Sequence, residues 1–276
     1  MEPVFAGKHA LLVGGTGGIG RALALGLAER GAAVTVTGGS SPERLEAVLG
    51  ELELAAETSA AGRRPPSQTG GFLCTIGGPG GYSPEGAVEF ILNRAGFTPG
   101  EAPDILAAAW GPFKRFTLEE TMPADWRFLT ESNLIFPGIL ISSVLCGMIK
   151  KGWGRILLFG GTGTEEIRGF STTAAYSAAK TALGVLAKSA AKAGEKAGVT
   201  CNIICPGFTN TEYTGTKERA YNRKKSPGGR VMGPEDVARL ALEALENPVL
   251  NGAVLSPHGF SEDWIGLTNR QRCGSI

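Results

Sequence analysis

The sequence predicts an α/β fold: a single doubly wound Rossmann-type domain with a parallel sheet of about seven strands and helices on both faces. Three observations carry this. Short apolar runs alternate with segments of helical periodicity along the whole chain; the runs are apolar throughout rather than on every second residue; and the first of them ends in a cluster of glycines. A chain of 276 residues is long enough to bury one large core, so residues 1–276 are expected to form one domain.

The elements follow in order. "HALLVGG" is a fully buried strand, and after a glycine turn "IGRALALGLAERG" has helical spacing and a glycine stop. "AAVTVTGG" is the second strand, and "SPERLEAVLGELELAAE" opens a helix with Ser-Pro. "GFLCTI", "DILAAAW", "GRILLFGG" and "VTCNIICPG" supply further strands with helical segments between them, and "GAVLSPHG" supplies the last. The stretch from Thr58 to Gly71, with paired Pro, paired Arg and a closing Gly-Gly, reads as a surface insertion. No internal repeat is evident.

Composition excludes several function classes. The net charge is +1 with acidic and basic residues interspersed, so no field is available to draw nucleic acid or an anionic membrane. The one basic cluster, Asn222 to Arg230, reads as a solvated mobile loop, with contact to an anionic substrate or cofactor as the alternative. Five cysteines do not suggest a disulfide framework, and Cys201 and Cys205 read as buried thiols. His9 and His258 have no ligand neighbours at metal spacing, so no metal is expected. The opening "MEPVFAGKHALLVGG" is unlike a secretory leader. The apolar run Leu134 to Ile149 is shorter than the roughly 20 residues of a membrane span, and it contains Pro137. A cytoplasmic protein without a membrane anchor is expected.

"VGGTGGIGRAL" joins the first strand to the first helix. Gly14, Gly18 and Gly20 permit a tight turn and close approach of a pyrophosphate, with Thr16 and Ile19 on the same loop. The helix N-terminus offers its amides and positive dipole end. The second strand ends "VTVTGGSSPER", with no carboxylate to hold the ribose hydroxyls of NAD. Ser40, Ser41 and Arg44 can instead meet the 2′-phosphate of NADP, which is slightly preferred, while Ser40 and Ser41 are equally suited to cap a helix.

In "YSAAK", Tyr176 and Lys180 stand one helical turn apart on one face. A tyrosine hydroxyl is a poor base at neutral pH, and a nearby ammonium favours its phenolate. Such a pair can exchange a proton with a carbonyl oxygen while a nicotinamide exchanges hydride with its carbon.

Taken together, "GGTGGIG", "ESNLIFPG", "YSAAK", "CNIICPGFTNT" and "GPEDVARLALEAL" followed by "NGAVL" resemble the short-chain dehydrogenase/reductase family over nearly the whole chain, in the manner of 3-oxoacyl-carrier-protein reductases. The resemblance implies that Tyr176 is the general acid/base and that Lys180 also holds the nicotinamide ribose. Asn133 would fix a water that links Lys180 to solvent. It implies further that the loop after the sixth strand meets the nicotinamide amide, with Pro206 and Gly207 shaping the turn and Thr209 or Thr211 supplying a hydroxyl. Phe208 and Tyr213 would then border the substrate.

The pattern breaks at the serine that such proteins place after the fifth strand. Counting the usual interval back from Tyr176 lands on Gly163, and aligning the strand lands on Gly160 and Gly161. Thr162 and Thr164 are the nearest hydroxyls, and either can make the same hydrogen bond if its rotamer reaches inward. The resemblance also departs at "AAWG" (Ala108 to Gly111), at Thr75-Ile76 and at "SPHGF". Loss of one oxyanion donor slows an enzyme by about 10²- to 10³-fold without abolishing it. The expected function is therefore an NAD(P)-dependent oxidoreductase acting on a small-molecule carbonyl or secondary alcohol. The alternative is a dinucleotide-binding protein with little turnover, such as a redox sensor or partner subunit.

Trp110, Phe113, Phe116, Ile167, Phe170, Phe208 and Tyr213 are expected to wall an apolar pocket, under a lid from about Thr209 to Arg230. The apolar run Leu134 to Ile149 and the small residues around Tyr176 suit close helix packing. A homo-oligomer, a tetramer or a dimer, is expected.

Overall fold

The apolar runs become strands and the periodic segments become helices from one end of the chain to the other. The computed structural model describes residues 4–58, 69–78, 80–226 and 229–257. β1 (His9–Val13) leads through the glycine turn into α1 (Gly18–Glu29); β2 (Ala33–Gly38) is followed by α2 (Pro42–Thr58), and β3 (Gly70–Leu73) by α3 (Pro84–Arg94). After β4 (Ile105–Ala108) comes a continuous helical stretch: α4 (Pro123–Thr130), a π turn at Glu131–Ile135, and α5 (Phe136–Lys151). β5 (Gly154–Phe159), α6 (Ala174–Gly194), β6 (Val199–Ile204), α7 (Thr216–Lys225), α8 (Pro234–Glu246) and β7 (Val254–Leu255) complete the order.

The strands form one seven-stranded parallel sheet in the order β3-β2-β1-β4-β5-β6-β7. Every residue of β1, β2, β4, β5 and β6 is buried, which is why these runs carry no polar alternation. Successive side chains point to opposite faces. Leu11, Leu106 and Ile156 join one core with Phe136, Leu140 and Leu183, from α5 and α6. Leu12, Ile105 and Leu157 join the other with Leu23, Leu27 and Leu242, from α1 and α8. β1 is hydrogen-bonded to β2 on one side and β4 on the other. The loops after β1 and β4 therefore diverge and open a crevice at the carboxyl ends of the strands.

Three expectations are revised by the fold. The insertion between Thr58 and Gly71 is shorter at both ends: Thr58 still belongs to α2, and Gly70 and Gly71 belong to β3; residues 59–68 lie outside the described residues. The basic cluster is not a plain loop, because Arg223, Lys224 and Lys225 occupy the last turn of α7, where cations complement the helix dipole. In the last strand only Val254–Leu255 pair with β6, and His258 lies outside the described residues. Among the described residues, the helical stretch Pro123–Lys151 is long and apolar enough to cross a membrane, with a mean hydropathy of 1.8 in its most apolar window. Half of that window is buried inside the fold, because α5 is a core helix.

Candidate active site

The glycine loop after β1 is shaped by backbone contacts that tolerate no side chain. Gly14 has φ +84°, in the left-handed region, and a Cβ on Gly20 would stand 2.1 Å from the Gly14 carbonyl oxygen. α1 can therefore begin directly against β1 with its first amides at the crevice. They face a cleft of about 440 Å³ bordered by Thr16, Gly18, Ile19, Ser40, Arg44 and Thr211.

One of these amides already holds an anion. Glu212, from the loop after β6, accepts a hydrogen bond from Gly18 N at 2.8 Å. Beside it the Arg44 guanidinium lies 4.6 Å from the centre of the Tyr213 ring, so the loop after β6 is fastened across the phosphate loop. A carboxylate at a helix N-terminus shows that the position suits negative charge, and the cradle fits a dinucleotide pyrophosphate.

At the other side of the crevice, Lys180 and Asn133 flank a single glycine. A Cβ on Gly111 would lie 2.5 Å from Asn133 Oδ1 and 2.7 Å from Lys180 Nζ. Asn133 Nδ2 donates to the carbonyls of Pro112 and Leu129, each at 3.0 Å. Its Oδ1 is buried and has no partner among the described residues. Lys180 Nζ donates to Phe159 O at 2.8 Å, and burial pushes its pKa down to about 8.

The backbone around Asn133 explains how its side chain is aimed. Pro137 lacks the amide that would bond to the Asn133 carbonyl, and its ring crowds that carbonyl. The helix answers with the π turn at Glu131–Ile135, and the Asn133 amide satisfies Leu129 O.

Tyr176 stands one turn before Lys180 on α6, with Lys180 Nζ 6.0 Å from its ring centre. Phe113 meets the ring edge-on at 4.9 Å. Burial raises the Tyr176 pKa above its ordinary value, so the phenol is held protonated, as a proton donor rather than a phenolate. Its hydroxyl makes no hydrogen bond among the described residues.

Comparison with known proteins agrees with this architecture. Residues 8–64 match the family described as short chain dehydrogenase, and residues 86–253 match the family described as Enoyl-(Acyl carrier protein) reductase. The chain belongs to the short-chain dehydrogenase/reductase family. It is 30% identical over 263 residues to the 3-oxoacyl-[acyl-carrier-protein] reductase of Escherichia coli (strain K12), covering 92% of this chain and 97% of that protein. It is 32% identical over 263 residues to the enzyme of the same name from Salmonella typhimurium, with the same coverage. Among solved structures, a dehydrogenase/reductase from Sinorhizobium meliloti 1021 superposes with a TM-score of 0.72 at 28% identity, covering 94% of this chain and 96% of that one. At the level of the family, the chain is an NAD(P)-dependent oxidoreductase.

Within this short-chain dehydrogenase/reductase, the residues singled out from sequence divide into two groups. Gly14, Thr16, Gly18, Ile19, Gly20, Ser40, Ser41 and Thr211 all line the cleft. The Ser41 hydroxyl accepts from Arg44 N at 3.3 Å and donates to Glu43 at 2.8 Å, so it caps α2 while bordering the cleft. Thr209 donates to Gly207 O at 3.1 Å, and Gly207 N donates to Pro257 O at 3.0 Å, which together fix the turn after Pro206.

The remaining residues stand apart from their expected places. Thr164 Oγ1 accepts from Gly161 N at 2.8 Å and donates to Gly161 O at 2.9 Å, and Thr162 Oγ1 donates to Pro206 O at 3.1 Å. Neither threonine is hydrogen-bonded to Tyr176. Tyr213, expected beside the substrate, lies instead against Gly17 and Arg44 at the phosphate end. Ile167, expected in the pocket wall, is 97% exposed. Trp110, by contrast, does border the cleft, packs edge-on against Phe136 and has its backbone close to Gly14.

Sequence reasoning missed Glu212 and the role of Gly111, because each acts on a partner far away in the chain, whereas alignment of the fifth strand puts Gly161 at the serine's position, next to Tyr176. Only the π turn had a local signal: Pro137 four residues after Asn133.

Proposed function

We propose that the chain transfers hydride between NADP or NAD and a small carbonyl or secondary alcohol, with Tyr176 exchanging the proton at the substrate oxygen. The single observation that carries this reading is the convergence of Lys180 and Asn133 on Gly111, which borders the glycine-loop crevice, with Tyr176 one helical turn before Lys180 and its ring centre 6.0 Å from Lys180 Nζ. A bound nicotinamide dinucleotide supplies or accepts the hydride. Gly14, Thr16, Gly18, Ile19 and Gly20 hold its pyrophosphate, Pro206, Gly207, Thr209 and Thr211 border its nicotinamide end, and Lys180 holds the ribose beside it.

The protonated Tyr176 hydroxyl gives its proton to the carbonyl oxygen, and the Lys180 ammonium stabilises the phenolate left behind. Asn133 Oδ1 anchors a water that returns a proton through Lys180. Ser40 and Arg44, with no carboxylate at the end of β2, support NADP over NAD. The likeness to reductases of 3-oxoacyl thioesters supports a ketone as the oxidised substrate.

Assembly into a homo-oligomer, a tetramer or a dimer, is supported by exposed apolar side chains on the π turn, α5 and α6, namely Ile135, Ile149 and Val185, the last exposed by 71%; the proposed location is the cytoplasm. The test is nicotinamide oxidation with ketones and β-keto thioesters, supplying NADH and NADPH separately, beside Tyr176→Phe. Turnover lost in the variant supports the reading. Equal inactivity of both proteins, with tight dinucleotide binding, replaces it with the sensor or partner-subunit alternative.

A further inference from the structure

Three consecutive side chains of the segment after β6 lie on the glycine loop at the phosphate end of the crevice. Glu212 Oε1 accepts from Gly18 N at 2.8 Å and would stand 2.6 Å from a Cβ on Gly17. The Tyr213 hydroxyl takes the place that this Cβ would occupy, and Thr211 Cγ2 would lie 3.2 Å from a Cβ on Gly18. Gly17 and Gly18 form the start of α1, and both border the cleft. A pyrophosphate docking on this helix start needs the same amide and the same space.

The segment is rigid in itself and lightly seated. Thr211 N donates to Thr214 Oγ1 at 2.9 Å and Thr214 N to Thr211 O at 3.1 Å, which closes a turn. Arg219 on α7 fastens that turn, donating to Thr211 O at 2.8 Å and to Thr214 O at 2.9 Å, so turn and helix move as one body. The root is pinned, because Asn210 N donates to Met232 O at 2.9 Å and Asn222 Nδ2 to Asn210 Oδ1 at 3.0 Å. Against the phosphate loop, by contrast, the turn is held by the Glu212–Gly18 hydrogen bond and by the Arg44 guanidinium 4.6 Å from the Tyr213 ring centre. Arg21 is near enough to feel the Glu212 charge. Tyr213 is 56% exposed, so lifting it uncovers little that was buried. The Arg115–Glu218 pair at 3.4 Å, also on α7, is exposed at both ends and restrains the helix weakly.

We infer that Glu212 and Tyr213 form an autoinhibitory plug: seated on Gly17 and Gly18, they exclude the pyrophosphate of a dinucleotide, which binds only when the turn and α7 swing away together. This rests on the dinucleotide-binding part of the reading above. The plug and the pyrophosphate are alternatives at one position, a carboxylate giving way to a phosphate at Gly18 N. Lifting the turn also frees Arg44, which borders the same cleft. The apparent dissociation constant is the intrinsic one divided by the fraction of molecules with the plug lifted. Weakening the plug therefore tightens binding, and it does so through the association rate, because the bound state no longer contains the contacts that were removed.

The test measures NADPH binding to the full chain by calorimetry and stopped-flow fluorescence, in the wild type, Glu212→Gln and Tyr213→Ala. Affinity is expected to rise about two- to fivefold in each variant, with faster association and an unchanged dissociation rate. Tyr213→Ala alters no charge, so repulsion between Glu212 and phosphate does not account for its gain. Its thermal midpoint without ligand is expected to fall, since the Arg44 contact is lost, so stability and affinity move in opposite directions. A residue that merely supports the loop would lower both. Affinity unchanged or weaker in either folded variant, or a gain carried by the dissociation rate alone, overturns the inference and leaves dinucleotide binding standing. No binding of NADPH or NADH by the wild type or either variant overturns the dinucleotide reading as well. Glu212→Gln keeps the shape of the side chain and decides the matter even if Tyr213→Ala does not fold.

Discussion

The two ends of the crevice use glycine for opposite purposes. At the phosphate end, Gly14 and Gly20 let backbone pack on backbone, so that α1 presents its amides to an anion. At the chemical end, Gly111 and Gly161 let side chains close onto the backbone: Asn133 and Lys180 fill the space a Cβ on Gly111 would take, and Tyr176 that of Gly161. The first use packs backbone on backbone and the second packs side chain on backbone. The difference teaches that a close approach such as that of Gly20 to Gly14 is legible because both lie on one loop of the chain. Such an approach is silent when the partners arrive from elsewhere in the fold.

Perturbing each end tests this contrast, and the largest effect is expected at the chemical end. Tyr176→Phe removes the proposed proton donor and is expected to lower kcat by about 10²- to 10⁴-fold, with dinucleotide affinity unchanged by fluorescence titration. A matching loss of affinity would mean that the two ends are not separable.

Gly20→Ala should do the reverse. Its Cβ would press on Gly14 O, so dinucleotide binding is expected to fall by at least about tenfold, with a lower thermal midpoint. Unchanged binding would break the argument for backbone-on-backbone packing.

Gly111→Ala places a methyl group against both Asn133 Oδ1 and Lys180 Nζ. It is expected to slow turnover about tenfold while the Gly20-dependent affinity is kept, because the obstruction lies on the proton route rather than on the phosphate cradle. Stopped-flow binding and steady-state turnover on the same sample separate the two.

The pH profile sharpens the chemical end further. Lys180, brought down by burial to a pKa of about 8 from 10.5, is charged below that value and neutral above it. Carbonyl reduction is expected to fall as pH rises through about 8, and Lys180→Gln should remove that limb of the profile. For stability the sign is opposite. Between pH 8 and 10.5 the unfolded chain holds the proton that the folded chain has released, so this group raises stability with pH across that window.

The smallest effect is expected where the loop after β6 meets the phosphate end. Glu212→Gln removes a negative charge that shares Gly18 N with any bound pyrophosphate, and dinucleotide affinity should rise roughly two- to fivefold at low salt. Weaker binding in this variant would show that Glu212 helps to seat the dinucleotide rather than competing with it.

By itself the sequence determined the order of strands and helices, because fully buried parallel strands need uninterrupted apolar runs and the helices between them need a periodic face. It also determined the turn of the glycine loop, since Gly20 packs on Gly14 across a few residues, and the Tyr176–Lys180 pair, since one helical turn places both on one face. Only the tertiary structure decided which hydroxyls were free to act. Thr162 and Thr164 looked like substitutes for a serine in the sequence, yet in the fold the Pro206 carbonyl and the Gly161 turn hold them. The structure likewise moved Tyr213 from the substrate to Arg44, brought Glu212 onto Gly18, and set Gly161 under the Tyr176 hydroxyl. The physical reason is common to all of these: a hydrogen bond is directional and short, so its partner is fixed by where two distant segments cross, which local pattern does not encode.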